Sequence, residues 1–412
     1  MQSTLNISKA PQLRFKGFLN EWAPVTLENL GVFKKGGALS KADISEEGRP
    51  CILYGELYTR YTAVIREVVS KTNTQLKSDV KGYVNDVLIP SSGETAIDIA
   101  CASALCVENV SLGGDLNLFR PHKDVSGPFI SYLINSVQKR NLAKLAQGAS
   151  VVHLYSESLK KLSILLPCLE EQQKIAFFFS LLDQKIEKQQ ERIEQLEQFK
   201  KGVIQKIFSQ QIRFKDDDGS DFSEWETKFL SDFARKITKK NKDFAVRNVI
   251  SNSSKYGLVS QRDYFDKDIA NTENINGYYV ISKGDFVYNP RISSDAPYGP
   301  VSIYKQNEEG VVSPLYFCFS VTNINKVYLS YYFKSNQWHR HIYLKGDSGA
   351  RHDRVSIKDT EFLKLKLKVP CPEEQEKIAD FFTTLDEKIR NEAIKLEELN
   401  VQKRGLMQKM FV

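Results

Sequence analysis

Two stretches of the chain carry apolar residues at the spacing of a helix seam, and they carry them in the same order. In the first, Ile175, Leu182, Leu196 and Val203 form one seven-residue series, and Phe179, Ile186, Ile193 and Ile207 form a second. Later in the chain, Ile378, Leu385, Leu399 and Leu406 interleave in the same way with Phe382, Ile389, Leu396 and Met410. Two interleaved heptad series are the a/d pattern of a coiled coil. Both seams break at matching places, Gln189 with Glu392 and Lys200 with Lys403. Prolines precede each stretch, and the acidic pairs Glu170-Glu171 and Glu373-Glu374 fall in the first turn, where they complement the helix dipole. Each stretch is expected to be a helix of about 38 residues, about 57 Å long at 1.5 Å per residue. Matching seams need a matching partner, so the two helices are expected to pack on each other as an intramolecular antiparallel coiled coil. That packing would put one globular segment at each end and relate the halves by a pseudo-two-fold axis. The alternative is that each helix packs on its own domain.

Between the helices the pattern changes to short β-branched and aromatic runs bounded by turn residues, which predict strands. Asp86-Val87-Leu88-Ile89-Pro90 and Asp285-Phe286-Val287-Tyr288-Asn289 are the clearest. Gly310-Val311-Val312-Ser313-Pro314 reads as a turn leading into a strand at Leu315-Tyr316-Phe317-Cys318-Phe319. Phe129–Ile134 and Tyr328–Phe333 read as equivalent helices. The fold class is therefore mixed α+β: two globular α/β domains joined by two long helices, in an internal repeat. The divisions are 1–165 and 211–368 for the globular domains, and 166–210 and 369–412 for the helices.

The repeat is explicit in the residues. Pro167-Cys168-Leu169-Glu170-Glu171-Gln172-Gln173-Lys174-Ile175-Ala176 returns as Pro370-Cys371-Pro372-Glu373-Glu374-Gln375-Glu376-Lys377-Ile378-Ala379, and the match runs without a gap to Phe208 and Phe411. About half the aligned positions are identical, a self-similarity that marks a duplicated unit. Arg14-Phe15-Lys16 followed by Glu21-Trp22 recurs as Arg213-Phe214-Lys215 followed by Glu224-Trp225. The globular segments agree only in scattered places. A chain of 412 residues exceeds a single core. Its net charge of +7 fits a polyanionic partner without demanding one. The six cysteines form no CxxC pair, which removes zinc ribbons and redox motifs from consideration. No signal pattern and no bilayer-length apolar run is present, so a cytoplasmic protein without membrane contact is expected.

At this point the chain resembles the specificity subunit of type I restriction–modification systems. The resemblance is carried by the Pro-x-x-Glu-Glu-Gln-x-Lys-Ile-Ala runs at 167 and 370 and by the Arg-Phe-x-x-Phe-x-x-Glu-Trp opening from Arg14 to Trp22. The approaches to the helices, Gly148–Leu154 with Leu159–Leu162 and Gly349-Ala350-Arg351 with Phe362–Leu365, add to it. The family implies that each globular segment is a target-recognition domain reading one half of a bipartite, asymmetric sequence in double-stranded DNA. It also implies that the helices set the half-site spacing and dock two methyltransferase subunits, with restriction/translocase subunits joining outside. Half-sites on one face of DNA lie about 34 Å apart, so a rigid helical rod is a suitable ruler.

On that reading, turn-like polar segments that reach phosphates or base edges become candidate DNA contacts. In the first domain these are Lys34 and Lys35, Tyr58 and Arg60, then Ser91, Ser92 and Thr95, with His153 near the helix. In the second they are Arg291, Ser293, Ser294 and Tyr298, followed by Arg351, His352 and Arg354. Arg351-His352-Asp353-Arg354 aligns with Ser150-Val151-Val152-His153. Arginine suits guanine because its fork matches the O6/N7 pair. Each such loop can equally be a solvated turn. Gln190, Arg192 and Lys201, on polar helix faces, are candidate partner contacts.

Two competing classes remain. A self-contained DNA adenine methyltransferase needs an Asn/Asp-Pro-Pro-aromatic loop; Tyr288-Asn289-Pro290-Arg291 begins like one, but Arg291 and Ile292 stand where proline and an aromatic belong. No glycine-rich turn for a methyl donor and no Walker-type phosphate loop is present. The chain is thus expected to be non-catalytic and to bind no cofactor, with S-adenosylmethionine, ATP and magnesium on partner subunits. His339-Arg340-His341 has metal-compatible spacing, but the pattern around Trp338 suits a packed element better, so no metal site is expected. The second class is a coiled-coil scaffold that binds proteins and not DNA; it leaves the duplicated basic, aromatic-rich domains without a use.

Overall fold

A computed structural model describes residues 10–75, 79–261, 275–348 and 353–412. The chain forms two compact units: Met1–Glu191 with Ala393–Val412, and Arg192–Glu392. The two seam stretches are continuous helices, Leu169–Phe208 and Pro372–Met410. Each helix therefore begins in one unit and ends in the other.

In the first unit a five-stranded sheet runs in the order Gly31–Lys35, Leu116–Pro121, Val87–Pro90, Ser103–Leu105, Val64–Ile65, antiparallel except for the last pair. A four-stranded sheet pairs Arg49–Ile52 with Lys71–Thr72 on one side and with Val110–Leu112 on the other, and Lys81–Gly82 continues it. Val87–Pro90 is buried at every position, as expected of a strand covered on both faces. Ala23–Thr26 pairs with Ser163–Leu166, so the domain's entrance and exit meet just before the central helix. The second unit repeats the plan with a four-stranded sheet, Ala234–Lys236, Phe317–Val321, Phe286–Tyr288 and Val301–Ile303. Glu226–Phe229 and Lys366–Val369 form its closing pair. Gly310-Val311-Val312, expected as a turn, is a strand paired with Tyr279–Ile281, because its two valines are fully buried. The equivalent helices are present as Gly127–Asn135 and Lys326–Tyr332. All six cysteines are free thiols.

The seam residues are buried or half-buried, and each unit pairs the start of one helix with the end of the other. In the first unit Phe411 packs against Phe129 and Phe179, with centroids 5.5 and 5.6 Å apart. In the same unit Lys403 meets Asp183, so the chain direction reverses between the two helices and their packing is antiparallel. In the second unit Phe208 packs against Trp225, Tyr328 and Tyr332, and Lys200 meets Asp386. The residues that break the heptads at 200 and 403 therefore carry the cross-helix ion pairs.

The repeated motifs are explained by bonds made twice. Arg14 grips Glu171 through Nε (2.6 Å) and Nη2 (2.7 Å). Arg213 holds Glu374 the same way at 3.3 and 2.8 Å. Gln172 accepts from the Ser126 N–H and donates to the Pro167 carbonyl, each at 2.9 Å. Gln375 does the same with Asn325 and Pro370, also at 2.9 Å. Trp225 Nε1 donates to Glu374 at 2.9 Å. Its counterpart Trp22 Nε1 is buried without a hydrogen-bond partner among the described residues.

Because Phe411 and Phe208 fill the cores at the helix ends, Phe411→Ala and Phe208→Ala should each cost about 3–5 kcal/mol. Amide exchange should show the loss in Gly127–Asn135 for the first variant and in Lys326–Tyr332 for the second. Lys409→Ala, on an exposed side chain, is the control, and equal losses in both helices for either variant would refute this account.

Candidate nucleic-acid interface

In the first unit, strand pairing gathers most of the candidate residues at one end of the five-stranded sheet. Lys35 lies opposite Asn117 and Lys34 opposite Leu118. On the other side of that strand, Val87–Pro90 runs on into Ser91, whose N–H donates to the Asp115 carbonyl (2.8 Å) and whose carbonyl accepts from Leu154 N–H (3.0 Å). Ser92 and Gly93 then pair with His153 and Val152. Asn117 Nδ2 donates to the Leu154 carbonyl at 2.9 Å and clamps the arrangement. Tyr58 reaches the same edge: a Cβ on Gly93 would lie 3.7 Å from its hydroxyl. Lys34 and Lys35 are exposed, with no side-chain bond among the described residues, whereas Ser92 is buried. His153 is half-buried and stacks on exposed Tyr155 at 5.9 Å. Arg60 follows the four-residue helix Glu56–Thr59 as its C-cap, bonded to Glu56 (3.2 Å) and Ser70 (3.4 Å). Thr95 is spent on structure: it caps Ala96–Ile99, accepting from Asp98 N–H (3.2 Å) and donating to the Asp98 carboxylate (2.5 Å).

The second unit builds the same edge with different side chains. Phe286–Tyr288 runs on through Asn289 and Pro290 to Arg291, which bridges Arg354. Ile292 N–H donates to the Asp353 carbonyl, and Val355 N–H to the Pro290 carbonyl, both at 2.9 Å. The last bond is the counterpart of Leu154 to Ser91, so Arg291 and Arg354 occupy the positions of Ser92 and His153. Ser293 closes a turn with Ala296, their N–H and carbonyl groups exchanging 3.1 Å bonds, with exposed Ser294 inside it. Tyr298 packs on His339 at 4.9 Å, and its carbonyl accepts from the buried Tyr288 hydroxyl at 2.9 Å. The turn needs glycine at Gly299: φ is +81°, and a Cβ would stand 2.1 Å from the Asn289 carbonyl. Arg351 and His352 lie outside the described residues.

The charges of this edge face outward. Arg291 is exposed with no side-chain partner among the described residues, and the Arg354 side chain makes one ion pair among them, with Asp353 at 3.7 Å. Such an exposed pair contributes about 0–1 kcal/mol, so it leaves the Arg354 fork open to another acceptor. Burial pushes the Tyr316 hydroxyl pKa up, opposed by the Asn252 N–H and the positive charges of Arg291 and Arg354. Tyr316 lies with Tyr279, Pro290, Arg354 and the Lys236–Asp359 ion pair (2.5 Å) around a cleft of 530 Å³. That size is within the ~300–1,000 Å³ of small-ligand clefts. Sequence reasoning missed Tyr279 and Tyr316; the signal was the Ser313-Pro314 turn directly ahead of Tyr316.

Other expectations resolve into structure. Asn289 is buried, its amide donating to the Asn252 carbonyl and accepting from Arg291 N–H, each at 3.0 Å. His341 Nε2 lies 2.8 Å from the Glu361 carbonyl, while His339 packs against Tyr298 and Trp338. No cluster among the described residues could hold a metal ion. Gln190, Arg192 and Lys201 are exposed on the central helix. So are the apolar Phe177 and Leu181, one turn apart, whose repeat counterparts are Asp380 and Thr384. They fall off the seam, which is why heptad reasoning passed over them. None of the described helices is long and apolar enough to cross a membrane.

These features define a duplicated protein: two like domains with divergent polar edges, each seated on a helix pair. The family model described as "Type I restriction modification DNA specificity domain" matches twice, over residues 20–198 and 222–401, and the chain belongs to that family. It is 26% identical over 324 residues to a putative type I restriction enzyme MjaX specificity subunit of Methanocaldococcus jannaschii, covering 72% of this chain and 70% of the relative. Its fold resembles the crystal structure of a type I restriction–modification S subunit from M. genitalium, with a TM-score of 0.55 at 16% identity, covering 98% of this chain and 99% of the other. A chain solved in work on complex assembly and conformational transition of the type I system gives a TM-score of 0.55 at 15% identity, covering 96% and 98%.

If Thr95 serves its helix and not a ligand, Thr95→Ala should cost about 0.5–2 kcal/mol of local stability. DNA affinity at fixed salt should stay at the wild-type value, and a large affinity loss with unchanged amide protection would reverse the assignment.

Proposed function

We propose that each unit reads one half of an asymmetric bipartite target in double-stranded DNA and that the chain itself is not catalytic. The observation that carries this reading is the doubled edge, where one backbone scheme places half-buried His153 beside buried Ser92 in one unit and exposed Arg291 and Arg354 in the other. Invariant bonding with exchanged side chains is what two different half-sites require. The arginine pair suits guanine O6/N7 in the major groove, and Lys34 with Lys35 suits phosphate. The engagement of both Asn289 amide atoms within the protein argues against a methyltransferase loop at that position. The long helices would dock two methyltransferase subunits, and the exposed Phe177 and Leu181 give one such surface an apolar centre. Restriction/translocase subunits would join outside, with S-adenosylmethionine, ATP and magnesium bound by those partners, in the cytoplasm. The helix pair would set the half-site spacing.

The test is a genome-wide map of methylated adenine in cells carrying the chain and its cognate methyltransferase subunit, compared with that subunit alone. A chain-dependent, bipartite, asymmetric motif is expected, and its second half should change when residues 225–366 are exchanged for another recognition domain. A stable complex without chain-dependent methylation would sink the reading and favour a scaffold.

Side-chain tests follow from the same geometry. Arg354→Ala or Arg291→Ala should cost about 1–3 kcal/mol of discrimination at one base pair. Replacing Lys34 and Lys35 by alanine should weaken binding to all sequences alike and lower the salt slope by about 0.9 for each phosphate no longer neutralised. A loss of base discrimination in the lysine variant instead would contradict the assigned roles.

A further inference from the structure

The charged interruptions of the helix seam form one arrangement that occurs twice. In the first unit Lys403 Nζ lies 2.5 Å from Asp183 Oδ1, and the Tyr132 hydroxyl donates to Asp183 Oδ2 at 2.7 Å. In the second, Lys200 Nζ lies 2.7 Å from Asp386 Oδ1, and the Tyr331 hydroxyl donates to Asp386 Oδ2 at 2.5 Å. The assignment of oxygens is the same in both. Each tyrosine also packs on the phenylalanine one turn ahead of the aspartate, Tyr132 on Phe179 at 5.5 Å and Tyr331 on Phe382 at 4.6 Å. Three elements thus converge on one carboxylate: the globular domain's own helix through tyrosine, the long helix that starts in that unit, and the long helix that ends there.

Stability alone does not account for this choice. Positions 200 and 403 fall in the heptad series, where leucine would continue the seam. A buried ion pair is often no more stabilising than apolar residues of the same volume, because desolvation offsets the attraction. What a charged pair adds at a seam is direction: apolar helices can slide or roll with little loss, whereas an ammonium must meet its one carboxylate. Asp183 is 3% exposed, so a displaced lysine would leave it charged, buried and unpaired. The tyrosine extends that constraint to the globular domain, whose recognition edge is carried by the same packed unit.

Resting on the bipartite reading above, we infer that Asp183 and Asp386 are positioning residues: each fixes the pose of its recognition domain on the helix pair, and together they set how strictly the protein requires one gap length between half-sites. The lysines and tyrosines act through them, and none of these six side chains needs to touch DNA.

The test uses the full chain in complex with its methyltransferase subunit, on targets with the native gap and with one base pair added or removed. Asp183→Asn with Asp386→Asn keeps the shape and removes the charge. Lys200→Leu with Lys403→Leu restores an apolar seam and guards against a folding defect in the first pair. Wild type should reject the altered gaps. Both double variants should fold, methylate the native target, and lose about tenfold or more of the discrimination, since ångström-scale misplacement costs up to ~100-fold in rate. Exchanging the charges (Asp183→Lys with Lys403→Asp, and Asp386→Lys with Lys200→Asp) should recover part of it. Rates that fall equally on all three targets, with discrimination intact, would show a purely structural role and overturn the inference. Wild type inactive on every bipartite target would refute the underlying reading instead. In that case amide exchange of the DNA-free chain still decides. Loosening confined to Gly127–Asn135 and Lys326–Tyr332 in both double variants supports the joint, and wild-type protection there refutes it.

Discussion

The long apolar stripe on each helix must be covered, and neither globular domain covers it alone. Each domain packs on the first turns of the helix that follows it, and its core is then completed by the closing turns of the other helix. Phe411, with Met410, sits among Phe129, Phe179 and Trp22, and Phe208, with Ile204 and Ile207, sits among Trp225, Tyr328 and Tyr332. The constraint is reciprocal, because each helix serves as scaffold in one unit and as core filler in the other. Burying a phenylalanine contributes about 1.5–3 kcal/mol, so these ends anchor the structure and are not decoration.

Around that exchange the frame is held by groups that cannot vary independently. A buried Glu171 without Arg14, or Glu374 without Arg213, would leave an uncompensated charge, at a cost of about 3–5 kcal/mol. Gln172 and Gln375 each serve a helix start and a proline carbonyl at once. These are the residues that the two copies share. The sheet edges at Ser92–His153 and Arg291–Arg354 share instead only backbone bonds, Leu154 to Ser91 and Val355 to Pro290, which do not specify the side chains beside them. One backbone scheme therefore carries serine and histidine in one unit and two arginines in the other.

Much of this was legible from residue order. The helices, the duplicated frame and the strands at Val87–Pro90 and Phe286–Tyr288 follow from periodicity and self-similarity, while the antiparallel packing was the expected one of two arrangements those signals left open. The alignment of Arg354 with His153 was also readable, and the structure brings both to the same bridge position. Local signals misread Gly310-Val311-Val312, because a short apolar run beside proline becomes a strand only when a partner such as Tyr279–Ile281 lies alongside. They also could not separate Thr95, a helix cap, from Ser92 and His153, which meet across a sheet edge.

The sequence by itself determined the long helices, the twofold plan and the family, because heptad spacing and repeated motifs depend only on order along the chain. Tertiary structure alone decided which residues meet: the arginines Arg291 and Arg354 across one bridge, the lysines that interrupt the seam, and the aspartates they face. Those pairings join residues far apart in sequence: backbone pairing brings the arginines together, and burial with the need to satisfy each buried charge selects the seam pairs.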